Sequence, residues 1–173
     1  MANFKVIYSR EQIAARVKEL GRAISLDYAD KELTALGILS SSFVFLADLM
    51  REIEVPVDCY FVRVFSESGL GESHNLTEIH FLSETKLEGR HVLLVGTVVD
   101  TAITQDYLLR QLELQGPASI KSCFLLDKAQ KRKVEFKCDY VGFEAPDGFL
   151  VGYGLERDGR YRNLPFIAER END

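Results

Sequence analysis

Cysteine, excess positive charge and long apolar runs are all scarce in this sequence, and each shortage closes a class of function. Only three cysteines occur, Cys59, Cys123 and Cys138, an odd number without the close spacing of a zinc site, so they read as reduced thiols of a cytoplasmic protein. His74, His80 and His91 form no ligand-spaced group either and read as structural or surface residues. Lysine and arginine number 21 against 27 acids, a formal net charge of −6. Nucleic acid or an anionic membrane would normally need a basic face, so the expectation is no nucleic-acid and no membrane partner. No apolar run approaches a membrane span, and the first residues lack the apolar core of a secretory leader. What is present is 46% hydrophobic and 28% charged over 173 residues, enough for a sizeable core in a single domain spanning 1–173.

The chain is organised around HVLLVGTVVDTAIT, from His91 to Thr104. An apolar run from Val92 to Val99, with only Gly96 and Thr97 inside it, stops at Asp100. Thr101, Ala102, Ile103 and Thr104 follow, and Tyr107, Leu108, Gln111 and Leu112 continue at helical spacing until Gly116-Pro117. A buried strand that ends in a hydroxyl-rich turn at a helix start is a natural anion site. Helix N-termini present unpaired N–H groups and the positive end of the macrodipole, and threonine hydroxyls add donors. The ligand this pattern predicts is a phosphate.

Upstream, Ser9 to Gln12 (SREQ) has the form of a capping box, with Ile13, Val17, Leu20 and Ile24 behind it at helical period. Leu33 to Leu39 is strand-like, and after Ser40, Ser41 and Ser42 a helical pattern resumes at Phe43, Leu46, Ala47, Met50 and Ile53. That serine turn is either a second anion site or a plain serine cap on a core helix. Pro56 ends the helix, Val57 to Phe65 reads as a strand, and Ser66 to Asn75 as a loop that is either a lid or a solvated connection. Leu76 to Leu82 and Ser119 to Leu126 are strand-like, Ala129 to Lys133 reads as a solvated basic turn, and short strands and loops complete the chain. Alternating strands and helices indicate an α/β fold with a largely parallel sheet, whose ligands bind outside the carboxyl ends of the strands.

The succession LSSSFVFLADL, HVLLVGTVVDTAIT, FLLDK, DYVGFEAPDGFLVGYGLERD and YRNLPFI resembles the hypoxanthine-guanine phosphoribosyltransferase family over nearly the whole chain. The resemblance implies a type I phosphoribosyltransferase fold, a parallel sheet flanked by helices with a small hood, built from the chain termini and mainly from about residues 128–173. It implies transfer of ribose 5-phosphate from phosphoribosyl pyrophosphate to hypoxanthine or guanine with magnesium, and a homodimer or homotetramer. By matched position, Asp100, Thr101, Ala102, Ile103 and Thr104 correspond to the 5-phosphate loop, with Asp100 the candidate general acid or base near the purine N7. Lys128 matches the donor to the purine 6-oxo group, Phe149 the aromatic stacked on the base and Leu150 a backbone acceptor at the base edge. Ser40 and Ser41 fall in the pyrophosphate turn with Arg162 facing it, and Glu156 stands where a metal-linked aspartate is usual. Taken singly, Lys128 reads equally as an exposed strand-end lysine, Phe149 as a core aromatic and Arg162 as a surface ion-pair partner.

Several family positions differ. Gly96 and Thr97 replace two adjacent carboxylates that hold the ribose hydroxyls, Ala102 replaces a glycine, Leu39-Ser40-Ser41 replaces Leu-Lys-Gly, and Val64-Phe65 replaces the Ser-Tyr that opens the lid. A charge-assisted hydrogen bond contributes about 1.5–3 kcal/mol, so losing two removes roughly 3–6 kcal/mol. Felt in the transition state, that is about two to four decades in rate. The sequence thus leads to a homologue that binds a purine nucleotide such as IMP or GMP with transfer weak or lost, its ribose side vacated. An active salvage enzyme, with Glu156 and Asp100 carrying more of the metal, is the alternative.

Overall fold

The structure, a computed structural model, describes residues 4–66 and 77–170. The loop expected over Ser66 to Asn75, with His74 within it, lies almost entirely outside the described residues. Elements follow in the order β1 (Phe4–Tyr8), α1 (Arg10–Asp27), β2 (Leu33–Leu39), α2 (Phe43–Glu52), β3 (Val57–Ser66), β4 (Thr77–Phe81) and β5 (His91–Val99). After them come α3 (Ile103–Glu113), β6 (Ser119–Asp127), a 3-10 turn (Ala129–Lys131), β7 (Tyr140–Glu144), β8 (Leu150–Val151) and β9 (Ile167–Arg170).

The capping box forms as expected: the Ser9 hydroxyl accepts from the Gln12 N–H while the Gln12 side chain accepts from the Ser9 N–H. Behind it Ile13, Val17, Leu20 and Ile24 are buried, one stripe of the helix turned to the core.

Six strands form the main sheet in the order β4-β3-β2-β5-β6-β7, all neighbours parallel except β4, which runs antiparallel to β3. Its two faces are covered separately. Ala35, Leu93 and Val95 pack with Ile13, Val17, Leu20, Leu46 and Leu49 of α1 and α2, whereas Leu36, Val92 and Leu94 pack with Leu108 and Leu112 of α3. Burial on both faces is what makes β5 a continuous apolar run rather than an alternating one.

From β2 the chain crosses to β3 on one side, and from β5 to β6 on the other, although β2 and β5 are themselves neighbours. Their outgoing loops diverge and leave a crevice at the carboxyl ends, the usual ligand position in an open parallel sheet. A second, three-stranded antiparallel sheet, β1-β9-β8, unites the two ends of the described chain. No helix of the described residues is long and apolar enough to cross a membrane.

Candidate active site

At the crevice lies a cavity of about 490 Å³ whose wall includes Ser40 and Ser41 from the loop after β2, Val98 and Asp100 from the end of β5, and Lys128 from the end of β6. Phe149, Leu150, Glu156 and Arg162 close it from the region of the small sheet. Eight of the residues singled out from sequence therefore converge on one cavity. The remaining four, Thr101 to Thr104, begin one residue beyond Asp100 but do not line it.

Asp100 is the least satisfied member: its Oδ1 is buried and makes no hydrogen bond. A carboxylate oxygen withdrawn from water without a partner is costly, so such an arrangement marks a place where a ligand supplies the missing donor. Its backbone carbonyl is held by Arg132, whose Nη1 donates at 2.8 Å while Nη2 pairs with Asp127 at the end of the adjacent strand.

Ala129, Gln130 and Lys133 are exposed, as a solvated basic turn would be, but Arg132 is not. The Arg132 side chain is 15% exposed and that of Asp127 16%, and the guanidinium also lies over Phe136 and contacts Cys138 Sγ. Burial pushes the Cys138 thiol up to about 12, with Asp127 adding to the shift. Composition marks such a turn as charged, but only the fold shows that its one arginine ties β5 to β6.

The turn after Asp100 departs from a hydroxyl-capped helix start. The cap position is Ala102, at φ 65° in the left-handed region, with no side-chain cap bond, and α3 begins at Ile103. An alanine there holds the backbone form that glycine takes freely, at a cost of about 1–2 kcal/mol. The serine turn differs as well. Ser42 occupies the cap of α2, but its hydroxyl donates back to the Ile38 carbonyl at 2.6 Å instead of capping the helix; the Leu39–Ser40 peptide is cis. Ser40 is used otherwise, its hydroxyl accepting from Arg162 Nη2 at 3.0 Å.

Arg162 also donates to the Gly154 carbonyl at 2.6 Å and pairs with Glu156 at 3.1 Å. Glu156 in turn accepts from the Gly159 N–H. Lys128 Nζ donates to the Gly148 carbonyl at 2.9 Å and the Asp147 carbonyl at 3.4 Å. Phe149 is not the core aromatic of its bland reading: it is 58% exposed. Leu150 is buried in β8.

The volume beside Gly96 is occupied within the core. Gly96 pairs with Phe124 across β5 and β6, and a Cβ added at 96 would overlap the Phe124 ring, itself wholly buried. The Phe124 ring takes the volume that a side chain at 96 would need, so a carboxylate there has no room. Thr97 is 2% exposed with its Oγ1 unpaired.

Comparison with known proteins agrees with this geometry. The phosphoribosyl transferase domain family matches residues 4–158. The hypoxanthine-guanine phosphoribosyltransferase of Bacillus subtilis is 39% identical over 164 residues, covering 95% of this chain and 91% of that protein. The enzyme of that name from Dictyostelium discoideum is 37% identical over 173 residues, 98% of this chain and 96% of that one. Among solved structures, a Bacillus anthracis hypoxanthine-guanine phosphoribosyltransferase with HEPES in its active site superposes with a TM-score of 0.89 at 35% identity, covering 98% of this chain and 99% of that one. With the crossover crevice, the cavity residues and these likenesses in accord, the chain belongs to the hypoxanthine-guanine phosphoribosyltransferase family.

Proposed function

We propose that the protein binds a 6-oxopurine and phosphoribosyl pyrophosphate and joins them into a nucleoside 5-monophosphate, releasing pyrophosphate, with the ribose end of the site weakened. The buried, unpaired Asp100 Oδ1 on the wall shared with Lys128 and Phe149 carries this reading. A purine bound with its N7 against Asp100 gives that oxygen its donor. As N9 attacks the ribose C1 and the bond to pyrophosphate breaks, Asp100 accepts the proton that the base must lose. Lys128 Nζ exchanges its two carbonyl partners for the 6-oxo oxygen, a preference for oxopurines over adenine because ammonium only donates. Phe149 offers a ring face to the base, and the turn from Thr101 to Thr104 receives the 5-phosphate.

Arg162, steadied by Ser40 and Glu156, faces the leaving pyrophosphate. Among the described residues no cluster of three or more metal-ligating side chains exists. Asp100, Asp147 and Glu156 are the acids on the wall. Such a set suits magnesium that arrives on the diphosphate, since this ion is usually held by one or two carboxylates together with substrate phosphates. It would neutralise charge on the departing group, with Asp100 or Glu156 meeting its bound water.

A second reading, a nucleotide-binding relative without useful turnover, is favoured by Gly96 and Thr97, which leave the ribose hydroxyls no carboxylate, and by Phe124, which fills the space. One preparation separates the two. Calorimetric titration with IMP and GMP is paired with an assay of hypoxanthine, phosphoribosyl pyrophosphate and magnesium. We expect binding together with product formed about two to four decades below an ordinary phosphoribosyltransferase rate. Binding without product supports the second reading, ordinary rates refute the weakened ribose end, and no nucleotide binding refutes both.

A further inference from the structure

Phe149 stands between two cavities. One is the 490 Å³ space that also includes Lys128 and Leu150; the other, of about 440 Å³, is lined by Phe149, Glu156, Arg157 and Asp158. Of these two, Arg157 lines the second and not the first, Lys128 and Leu150 line the first and not the second, and Phe149 and Glu156 line both. The Arg157 guanidinium lies over the Phe149 ring, 5.7 Å from its centroid.

The backbone fixes that placement. Arg157 and Arg160 exchange both of their N–H···O bonds at 3.1 Å across a two-residue turn, Asp158-Gly159, with φ of 54° and 75°. An Asp-Gly turn with both residues in the left-handed region is the tight hairpin form that this dipeptide favours. Glu156 anchors the same turn by accepting from the Gly159 N–H. Among the described residues no carboxylate holds the Arg157 guanidinium in an ion pair, so its electrostatic partner is the face of the ring.

We propose that Arg157 is a positioning residue for base binding: it covers the outer face of Phe149 and leaves the inner face as a braced platform, so that guanidinium, phenyl ring and purine form three layers. The inference rests on the proposed reading of Phe149 as the base-stacking ring. Because every base has a π face, the brace does not discriminate between oxopurines. Because it acts through the ring, it does not reach the phosphate end.

The test is a calorimetric cycle with IMP, GMP and ribose 5-phosphate as probes on the full chain. Arg157→Ala is expected to weaken IMP and GMP equally, about two- to five-fold, the size of an exposed cation–π contact, and to leave ribose 5-phosphate unchanged. Arg157→Lys should recover part of the loss. In Phe149→Leu, which keeps an apolar contact but has no π face, adding Arg157→Ala should have no further effect. Unchanged IMP affinity in Arg157→Ala, an equal loss for ribose 5-phosphate, or full additivity with Phe149→Leu would each overturn the brace. Should Phe149→Leu itself leave IMP and GMP affinity intact, the base-stacking reading of Phe149 fails and the brace with it, an outcome distinct from failure of Arg157 alone.

Discussion

Asp100 and Ala102, two residues apart, illustrate opposite trades between stability and use. Asp100 holds a buried carboxylate oxygen with no protein partner, a cost to the fold that a bound donor offsets. Asp100→Asn is therefore expected to leave the melting temperature unchanged or raised while slowing any phosphoribosyl transfer by about 10²- to 10⁴-fold, the usual contribution of a positioned acid or base. Thermal melts and the hypoxanthine assay on the same variant check both halves. Ala102 carries left-handed backbone strain, and its methyl is wholly buried beside Val99, Phe124 and Cys138. In Ala102→Gly, relief of about 1–2 kcal/mol of strain competes with loss of about 0.8 kcal/mol of burial, so the fold is not destabilised. A lower melting temperature on thermal denaturation would show that packing of the methyl outweighs the strain.

Between elements, the β5–β6 pair carries the features least visible in sequence. Gly96 and Phe124 occupy one packed volume, so each restricts the other. Gly96→Ala is predicted to cost about 1–3 kcal/mol by overpacking. Its cost should shrink in a Phe124→Leu background, an interaction that chemical denaturation of the four proteins measures. Arg132 joins the same two strand ends through Asp127 and the Asp100 carbonyl. Removing one partner of a largely buried pair leaves the other charge uncompensated, so Arg132→Ala should destabilise by about 3 kcal/mol and displace Asp100, lowering IMP affinity as well. Loss of stability with IMP affinity retained would separate the strut from the site.

For the whole molecule, pH acts through groups far from the cavity. A hydrogen bond from Lys121, 2.8 Å away, holds the Asp27 carboxyl below its ordinary range, and Tyr140 assists at 2.5 Å. A carboxyl with a lowered folded value contributes stability above about pH 4 and loses it as pH falls through that value. In Lys121→Met the acid limb of stability against pH should therefore flatten. At the alkaline end the signs reverse. Burial raises all three thiols, Cys138 to about 12, so the unfolded chain releases its thiol protons first and stability falls from about pH 9 upward. Native protein should accordingly react slowly with thiol reagents at pH 8 and expose three fast thiols on unfolding.

Sequence by itself determined the elements and the order of the site. Apolar periodicity, the SREQ capping box and the Gly116-Pro117 stop are local properties of the chain, so β2, α2, β5, α3 and β6 were legible, as were the residues at their carboxyl ends. Motif order pointed to the family, and the family match over residues 4–158 bears that out. Tertiary structure decided what becomes of those changes. A glycine inside an apolar strand reads as an empty space until the paired strand brings Phe124 against it, and the arginine of a basic turn reads as solvated until Arg132 is found between two strand ends. The physical reason is one of range: helix caps and hydrophobic period act over a few residues, whereas the volume and charge at a site are shared among segments brought together only when the sheet forms.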